Sequence, residues 1–201
     1  KPEEGITRKS FLMKSGALLA TGFGAALSYG VIRGSHQYQV VNQKLKIDNL
    51  PEAFKGLKLV QISDIHSGSF WSKDAVQKGV DMINDQKADM VFFTGDIVNN
   101  DASEMDDYID VFSQISAPLG VFATMGNHDY GEYVPNFTPK DLPINKAKIQ
   151  KVHDKLGWRL LMNEHEIIEK EGAPLAVVGI ENWGAKMHFK KYGDMSKAIS
   201  G

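Results

Sequence analysis

Three short stretches carry residues able to do chemistry together: "SDIHSG", "FFTGDIVNN" and "MGNHDYG". The first sets Asp64 and His66 one residue apart, the second puts Asp96 after Gly95, and the third puts Asn127, His128 and Asp129 after Gly126. Between them they offer carboxylate oxygens, imidazole nitrogens and a neutral amide oxygen, the donors that hold divalent cations. Asp64 and His66 supply an oxygen and a nitrogen to one ion. Asp96 has an oxygen for each of two ions and can bridge them, and Asn127 gives the second ion a ligand without adding charge. Two ions about 3.5–4 Å apart can polarise a phosphoryl oxygen and activate water for in-line attack. His128, beside Asn127, is suited to give a proton to the leaving alkoxide. Mixed nitrogen and oxygen donors favour manganese, iron, zinc or a mixture of these over calcium alone. The chain has no cysteine, which excludes disulfides, thiolate-held zinc and iron–sulfur clusters.

Each stretch alone has a structural reading. Asp-x-His is often a turn, Gly-Asp after a strand is commoner still, and Asn and Asp favour turns for backbone reasons. What turns three turns into one site is the set of elements before them. "GLKLVQIS", "DMVFFTGD" and "GVFATMGNHD" all open as short apolar or β-rich runs, the second nearly continuous, as expected of a strand covered on both faces. They recur at intervals of about 30 residues, the length of a strand, a crossover and the next strand. "SKDAVQKGVDMINDQ" carries Ala75, Val76, Val80, Met82 and Ile83 at helical spacing, and "EMDDYIDVFSQI" predicts a second crossover helix. Strand–helix alternation predicts α/β layering. In such a sheet ligands gather at the carboxyl ends of the strands, so the three motifs converge on one pocket. Further on, "NKAKIQKVHDKLG" predicts a helix ending at Gly157, and "WRLLMNE" and "EIIEKEGAPLAVVGI" predict strands with a turn at Glu171-Gly172. "YQVVNQKLKI", before the first motif, alternates enough to predict an edge strand.

Residues 1–34 read as a separate signal or membrane-anchor segment and residues 35–201 as the catalytic domain. Arg8, Lys9 and Lys14 precede an uncharged run rich in Gly, Ala and Leu that Arg33 closes. The run has about the minimum length of a membrane-spanning helix. Its basic flank predicts a cytoplasmic N-terminus and a globular part on the extracytoplasmic side, anchored or exported. "TRKSFLMK" also resembles the twin-arginine export signal, with Arg8-Lys9 where two arginines are expected. Twenty-three basic and 25 acidic residues leave a net charge of −2, so no nucleic-acid-binding surface is evident.

On "SDIHSG", "FFTGDIVNN" and "MGNHDYG" the chain resembles the calcineurin-like metallophosphoesterases, whose D-x-H, G-D and G-N-H-[DE] blocks they match in order and spacing over residues 56–180. Within the family it resembles bacterial membrane-associated or exported members. The resemblance implies a four-layer α/β/β/α sandwich, here its N-terminal portion, preceded by the hydrophobic helix. It also implies a dinuclear site on Asp64, His66, Asp96 and Asn127, with His128 catalytic. The expected activity is hydrolysis of phosphodiesters or phosphomonoesters, with a substrate that is lipid-linked or in the cell envelope. The family pattern continues with a lone His and a G-H-x-H block. Nothing after His128 supplies them, and because the chain begins at Lys1 and stops in mid-pattern, they are expected beyond Gly201. The alternative is a non-catalytic metal- or nucleotide-binding module of the same fold.

Other residues carry weaker expectations. His153, His165 and His188 predict solvated or surface roles, and His36 a linker position. Asn99 and Asn100 stand where many relatives have an acid and predict outer support. Asp129 either orients His128 or caps its turn. Tyr130 and Tyr133 predict a pocket wall, and Trp183 a core position at a strand end.

Overall fold

The computed structural model describes residues 7–33, 37–184 and 190–200; His36 and His188 lie outside them. The chain divides into two compact units, Lys1–Leu45 and Lys46–Gly201.

The first unit is dominated by one helix, α1, Arg8–Arg33. Its 26 residues make a rod about 39 Å long at 1.5 Å per residue. Over Arg8–Gly30 it has the length and composition to cross a membrane, and that stretch buries nothing within the protein. Phe11, Leu12, Leu18, Leu19 and Phe23 are all exposed. The stretch "YQVVNQKLKI" forms no strand. Its alternation is real, but Val41 and Leu45 are 84% and 67% exposed, and an alternating run with neither a buried face nor a partner edge does not become a strand.

The second unit is built on a four-stranded parallel sheet in sequential order. Its strands are β1 (Leu59–Ile62), β2 (Met90–Phe93), β3 (Val121–Ala123) and β4 (Arg159–Leu160). Helix α2, Lys73–Asp85, links β1 to β2, capped by Ser72, whose side chain accepts from the Ala75 N–H at 3.3 Å. Helix α4, Asp141–Leu156, precedes β4 and stops at Gly157, which takes the left-handed conformation that favours glycine there. The predicted helix between β2 and β3 is broken in two. Residues Ala102–Met105 form a 3₁₀ turn capped by Asp101 and Glu104, and only Ile109–Phe112, α3, is α-helical. Tyr108, at φ −121°, interrupts the run.

Alternating side chains of the sheet feed two cores. On one face Val91, Phe93, Val121 and Ala123 pack with Val76 and Val80 of α2, Val111 and Phe112 of α3, and Ile149 and Val152 of α4. On the other face Met90, Phe122 and Leu161 pack with Phe54 and Ile168. Ile168 belongs to an antiparallel hairpin, β5 (Glu164–Lys170) and β6 (Ala173–Gly179), a second sheet whose Leu175 and Val177 join the same core. The turn at Glu171 and Gly172 has both residues at positive φ, 53° and 77°, the pattern of a tight two-residue hairpin loop. The unit is thus mixed α/β with helices on one face of the parallel sheet and a second sheet on the other. One turn of helix, α5 (Met195–Ala198), follows near the end of the described chain.

Candidate metal centre

Because β1, β2 and β3 are parallel and adjacent, their carboxyl ends open side by side. The loops after them are stitched together by main chain. Asp64 N–H donates to the Gly95 carbonyl, His66 N–H to the Asp96 carbonyl and Ser67 N–H to the Ile97 carbonyl, each at 3.0 Å. Gly95, at φ 102°, lies so close to the next loop that an added Cβ would stand 2.1 Å from the Gly126 nitrogen. In turn a Cβ on Gly126 would stand 2.2 Å from Asp96 Oδ1. Backbone meets backbone there, and no side chain fits between.

Three of the predicted ligands hold the left-handed backbone: Asp64 at φ 53°, His66 at φ 48° and Asp96 at φ 62°. For residues with a Cβ each such conformation costs about 1–2 kcal/mol, and it persists where surrounding structure over-determines it. Asp129 supplies much of that determination. Its carboxylate, buried, accepts from the N–H groups of Asp96 at 2.8 Å, Ile97 at 2.8 Å and Gly126 at 2.9 Å. Burial pushes this carboxyl up to about 7, against the N–H bonds that favour its charge. Of the two roles expected for Asp129, it holds the turn. It joins the β2 and β3 loops, and the His128 ring is oriented from elsewhere.

His66, Asp96 and His128 bring one donor atom each within 4.8 Å of one another. His66 Nε2 lies 3.8 Å from Asp64 Oδ1 and 4.0 Å from Asp96 Oδ2. Two donors each about 2.1 Å from a common ion stand about 3–4 Å apart, so the spacing fits a cation between them. His66 Nδ1 is buried with no protein partner. Asp96 is 8% exposed, and its Oδ1 accepts the His128 N–H at 2.8 Å, leaving Oδ2 toward His66. Asp64 is exposed beside the cluster.

His128 is oriented by the main chain of the neighbouring loop. Its Nδ1 lies 2.7 Å from the Asn99 carbonyl oxygen, which makes Nδ1 the donor and leaves Nε2 free of that bond. The His66 and His128 rings meet edge to face with centroids 4.7 Å apart. The Asn127 amide donates from Nδ2 to the Tyr133 hydroxyl at 2.8 Å, so its Oδ1 is the end left for a cation. Tyr133 lies 4.6 Å from the His128 ring and does wall the site. Tyr130, also expected in the wall, is instead fully buried and anchors the turn from beneath. Its ring packs against that of Tyr192, centroids 4.3 Å apart and tilted by 31°. Its hydroxyl donates to Glu181 at 3.3 Å and accepts from Asn182 N–H at 3.2 Å. Glu181 is buried, paired with Lys146 of α4 and hydrogen-bonded by Asn163 Nδ2 at 2.7 Å.

Two further sequence expectations fail. His153 is fully buried in α4, not solvated. Its Nδ1 donates to the Ile149 carbonyl at 2.9 Å, and Phe93 and Trp158 lie within 6.1 Å of its ring; those rings exclude water. His165 is half-buried, and its Nδ1 bonds the Ala198 carbonyl at 2.8 Å. Trp183 is 55% exposed rather than core, with Lys191 Nζ 4.9 Å above its ring; Glu181 takes the buried position beside it. Glu104 and the Asn99 carbonyl escaped the sequence reading. Only the S/T/D-x-x-E capping pattern of "DASE" could have flagged the first, and a main-chain atom has no residue signature at all.

A family model described as calcineurin-like phosphoesterase matches residues 57–193. A zebrafish (Danio rerio) transmembrane protein with metallophosphoesterase domain is 28% identical over 99% of this chain and 44% of its own. The uncharacterized metallophosphoesterase YkuE of Bacillus subtilis is 32% identical over 64% of this chain and 46% of its own. The UDP-2,3-diacylglucosamine pyrophosphatase LpxG of Chlamydia trachomatis is 39% identical over 43% of this chain and 27% of its own. The chain therefore spans less than half the length of these relatives.

Proposed function

The chain belongs to the calcineurin-like phosphoesterase family, and from that premise we propose that it hydrolyses a phosphodiester or pyrophosphate link with a pair of divalent cations at the ends of β1, β2 and β3. Asp64, His66, Asp96 and Asn127 would hold the ions, with Asp96 the carboxylate able to serve both. The observation that carries this reading is that His66 Nε2 faces Asp64 Oδ1 at 3.8 Å and Asp96 Oδ2 at 4.0 Å with the His128 ring beside them, on loops whose backbone is strained at Asp64, His66 and Asp96. When bound, such ions polarise the phosphoryl oxygen and acidify water. The nitrogen and oxygen donors suit manganese, iron or zinc.

The chain's own residues do the rest. The Asn99 carbonyl keeps the His128 Nδ1–H engaged, so Nε2 is the nitrogen that carries a proton to the leaving oxygen. Tyr133 takes the Asn127 Nδ2–H, which aims the amide oxygen at the cation. Asp129 keeps the loops after β2 and β3 at one spacing.

Membrane association is supported by α1 and by transmembrane relatives. Arg8, Lys9 and Lys14 at its start favour a cytoplasmic N-terminus and a catalytic unit on the other side. A substrate borne by a lipid suits that setting, and the relative acting on UDP-2,3-diacylglucosamine supports the class. The division at residues 34 and 35, anchor before and catalytic domain after, belongs to the same proposal.

The test is hydrolysis of an aryl phosphodiester by the detergent-purified protein. Turnover should depend on Mn²⁺, stop with EDTA and disappear in Asp96→Asn. Bound Mn²⁺ without hydrolysis would select the non-catalytic binding module. Normal turnover in Asp96→Asn with metal bound would sink the bridging role.

A further inference from the structure

Glu104 belongs to none of the three motifs, yet four backbone N–H groups converge on its carboxylate. Oε2 accepts from Gly68 at 3.1 Å and Asn99 at 2.6 Å, and Oε1 from Asn100 at 2.9 Å and Asp101 at 3.1 Å. Gly68 stands two residues after His66, in the loop after β1. Asn99 stands three residues after Asp96, in the loop after β2, and its carbonyl oxygen orients the His128 ring. We infer that Glu104 is a positioning residue of the metal centre, a strap that ties the loop of Asp64 and His66 to the loop of Asp96 and, through Asn99, fixes the His128 imidazole.

Capping alone does not account for this geometry. The reciprocal box with Asp101 uses one of the four bonds, and Gly68 is remote from the 3₁₀ turn in sequence. The bare backbone of Gly68 is what admits the carboxylate, since a Cβ there would lie 2.4 Å from Glu104 Oε2 and 2.9 Å from Asn99 Nδ2. A lesser tie joins the same loops, with Asn99 Nδ2 donating to Ser69 Oγ at 3.0 Å. Asp129 does the corresponding work between the loops after β2 and β3. The two carboxylates thus grip the Asp96 loop from opposite sides, which is how three left-handed, Cβ-bearing residues are held in place.

Glu104→Gln exchanges one acceptor oxygen for an amide that donates, so N–H groups of the strap lose their partner. In the metal-free protein the amides of Gly68 and Asn99 should then exchange hydrogen faster than in wild type. By calorimetry Mn²⁺ should bind about 10–100-fold more weakly, the range seen for residues that orient ligands, and kcat should fall with KM little changed. Asp101→Ala removes the side-chain half of the cap and leaves the strap, so its Mn²⁺ affinity should stay within about twofold of wild type. An unchanged exchange rate at Gly68 and Asn99 in Glu104→Gln overturns the inference, as does an Asp101→Ala loss equal to that of Glu104→Gln. Should Glu104→Gln fail to fold, Gly68→Ala attacks the same bond from the other loop. Faster Asn99 exchange in that variant supports the strap, and unchanged exchange overturns it. The kinetic consequence rests on the phosphoesterase reading, but the exchange readout does not. A wild type that binds Mn²⁺ without hydrolysing would end that reading and leave the strap to be judged by exchange.

Discussion

The loops after β1, β2 and β3 and the packed face of α4 both bury groups that can ionise, and they treat them in opposite ways. In the loops the carboxylates of Asp129 and Glu104 are each surrounded by N–H donors, and the backbone at Asp64, His66 and Asp96 is bent into left-handed geometry. Under α4 the backbone is regular helix, and His153 sits among Phe93, Trp158 and Ile149 with one ring nitrogen bonded and the other without a protein partner. A buried histidine on relaxed backbone fills space. His66 instead sits on left-handed backbone and faces the carboxylates of Asp64 and Asp96. Left-handed backbone alone does not mark the site, since Asn49, Lys87, Asn136, Asn163 and Glu171 share it; at His66 it coincides with ligand atoms that face one another.

Four measurements would break or sharpen that contrast. The largest effect is expected from His128→Ala, which should lower kcat about 10²–10⁴-fold, the usual yield of general acid catalysis. If Mn²⁺ affinity falls with it, His128 is a ligand alongside His66 and Asp96 rather than a proton donor. Next, Gly95→Ala must place a Cβ 2.1 Å from the Gly126 nitrogen at φ 102°. It should cost about 3 kcal/mol or more in urea unfolding. Comparable in size is the pH response of His153. Burial lowers its pKa to about 4 from an ordinary 6.5. The unfolded chain therefore takes up a proton below pH 6.5 that the folded protein refuses until about pH 4. Stability should fall across that window by about 3 kcal/mol and then level off. His153→Phe should flatten that part of a Tm-against-pH curve, and an unchanged slope would place the titration elsewhere. The smallest effect belongs to Gly157→Ala, at φ 73° but with open space around it. It should cost about 1 kcal/mol, and the gap between the two glycines measures what the close approach of the metal loops adds to backbone strain.

Much of the frame could be read from residues alone, because it rests on periodicity and turn chemistry. The apolar runs gave β1, β2 and β3, the Ala75–Val76–Val80 spacing gave α2, and Glu171-Gly172 announced the hairpin. The motif residues could be named because their side chains are scarce types in a telling order. What could not be read was what depends on the main chain or on distant partners. No residue type announces that Asp64, His66 and Asp96 sit at positive φ, since aspartate and histidine enter that region more readily than most residues but at only a small share of their positions. Glu104 looks like any acid beside a helix until Gly68, 36 residues earlier, is folded against it. His153 failed because a polar residue in "NKAKIQKVHDKLG" carries no sign of the rings that β2 and the α4–β4 turn press onto it. "YQVVNQKLKI" failed for the converse reason: an alternating pattern proposes a strand, but only a partner edge makes one.

Of the three tryptophans, Trp71 and Trp183 are exposed and Trp158 is buried, its ring 6.1 Å from that of His153. Exposed indoles emit at the red end of the tryptophan band and a buried one at the blue end, and an imidazolium quenches an indole it lies near while a neutral imidazole does so far less. The blue edge of the protein's own emission is therefore a meter for one proton on one side chain. As acid is added it should dim when His153 charges, before the red shift that marks exposure of the core. The order of those two optical events tells whether the histidine is protonated inside the folded protein or only after the core has opened.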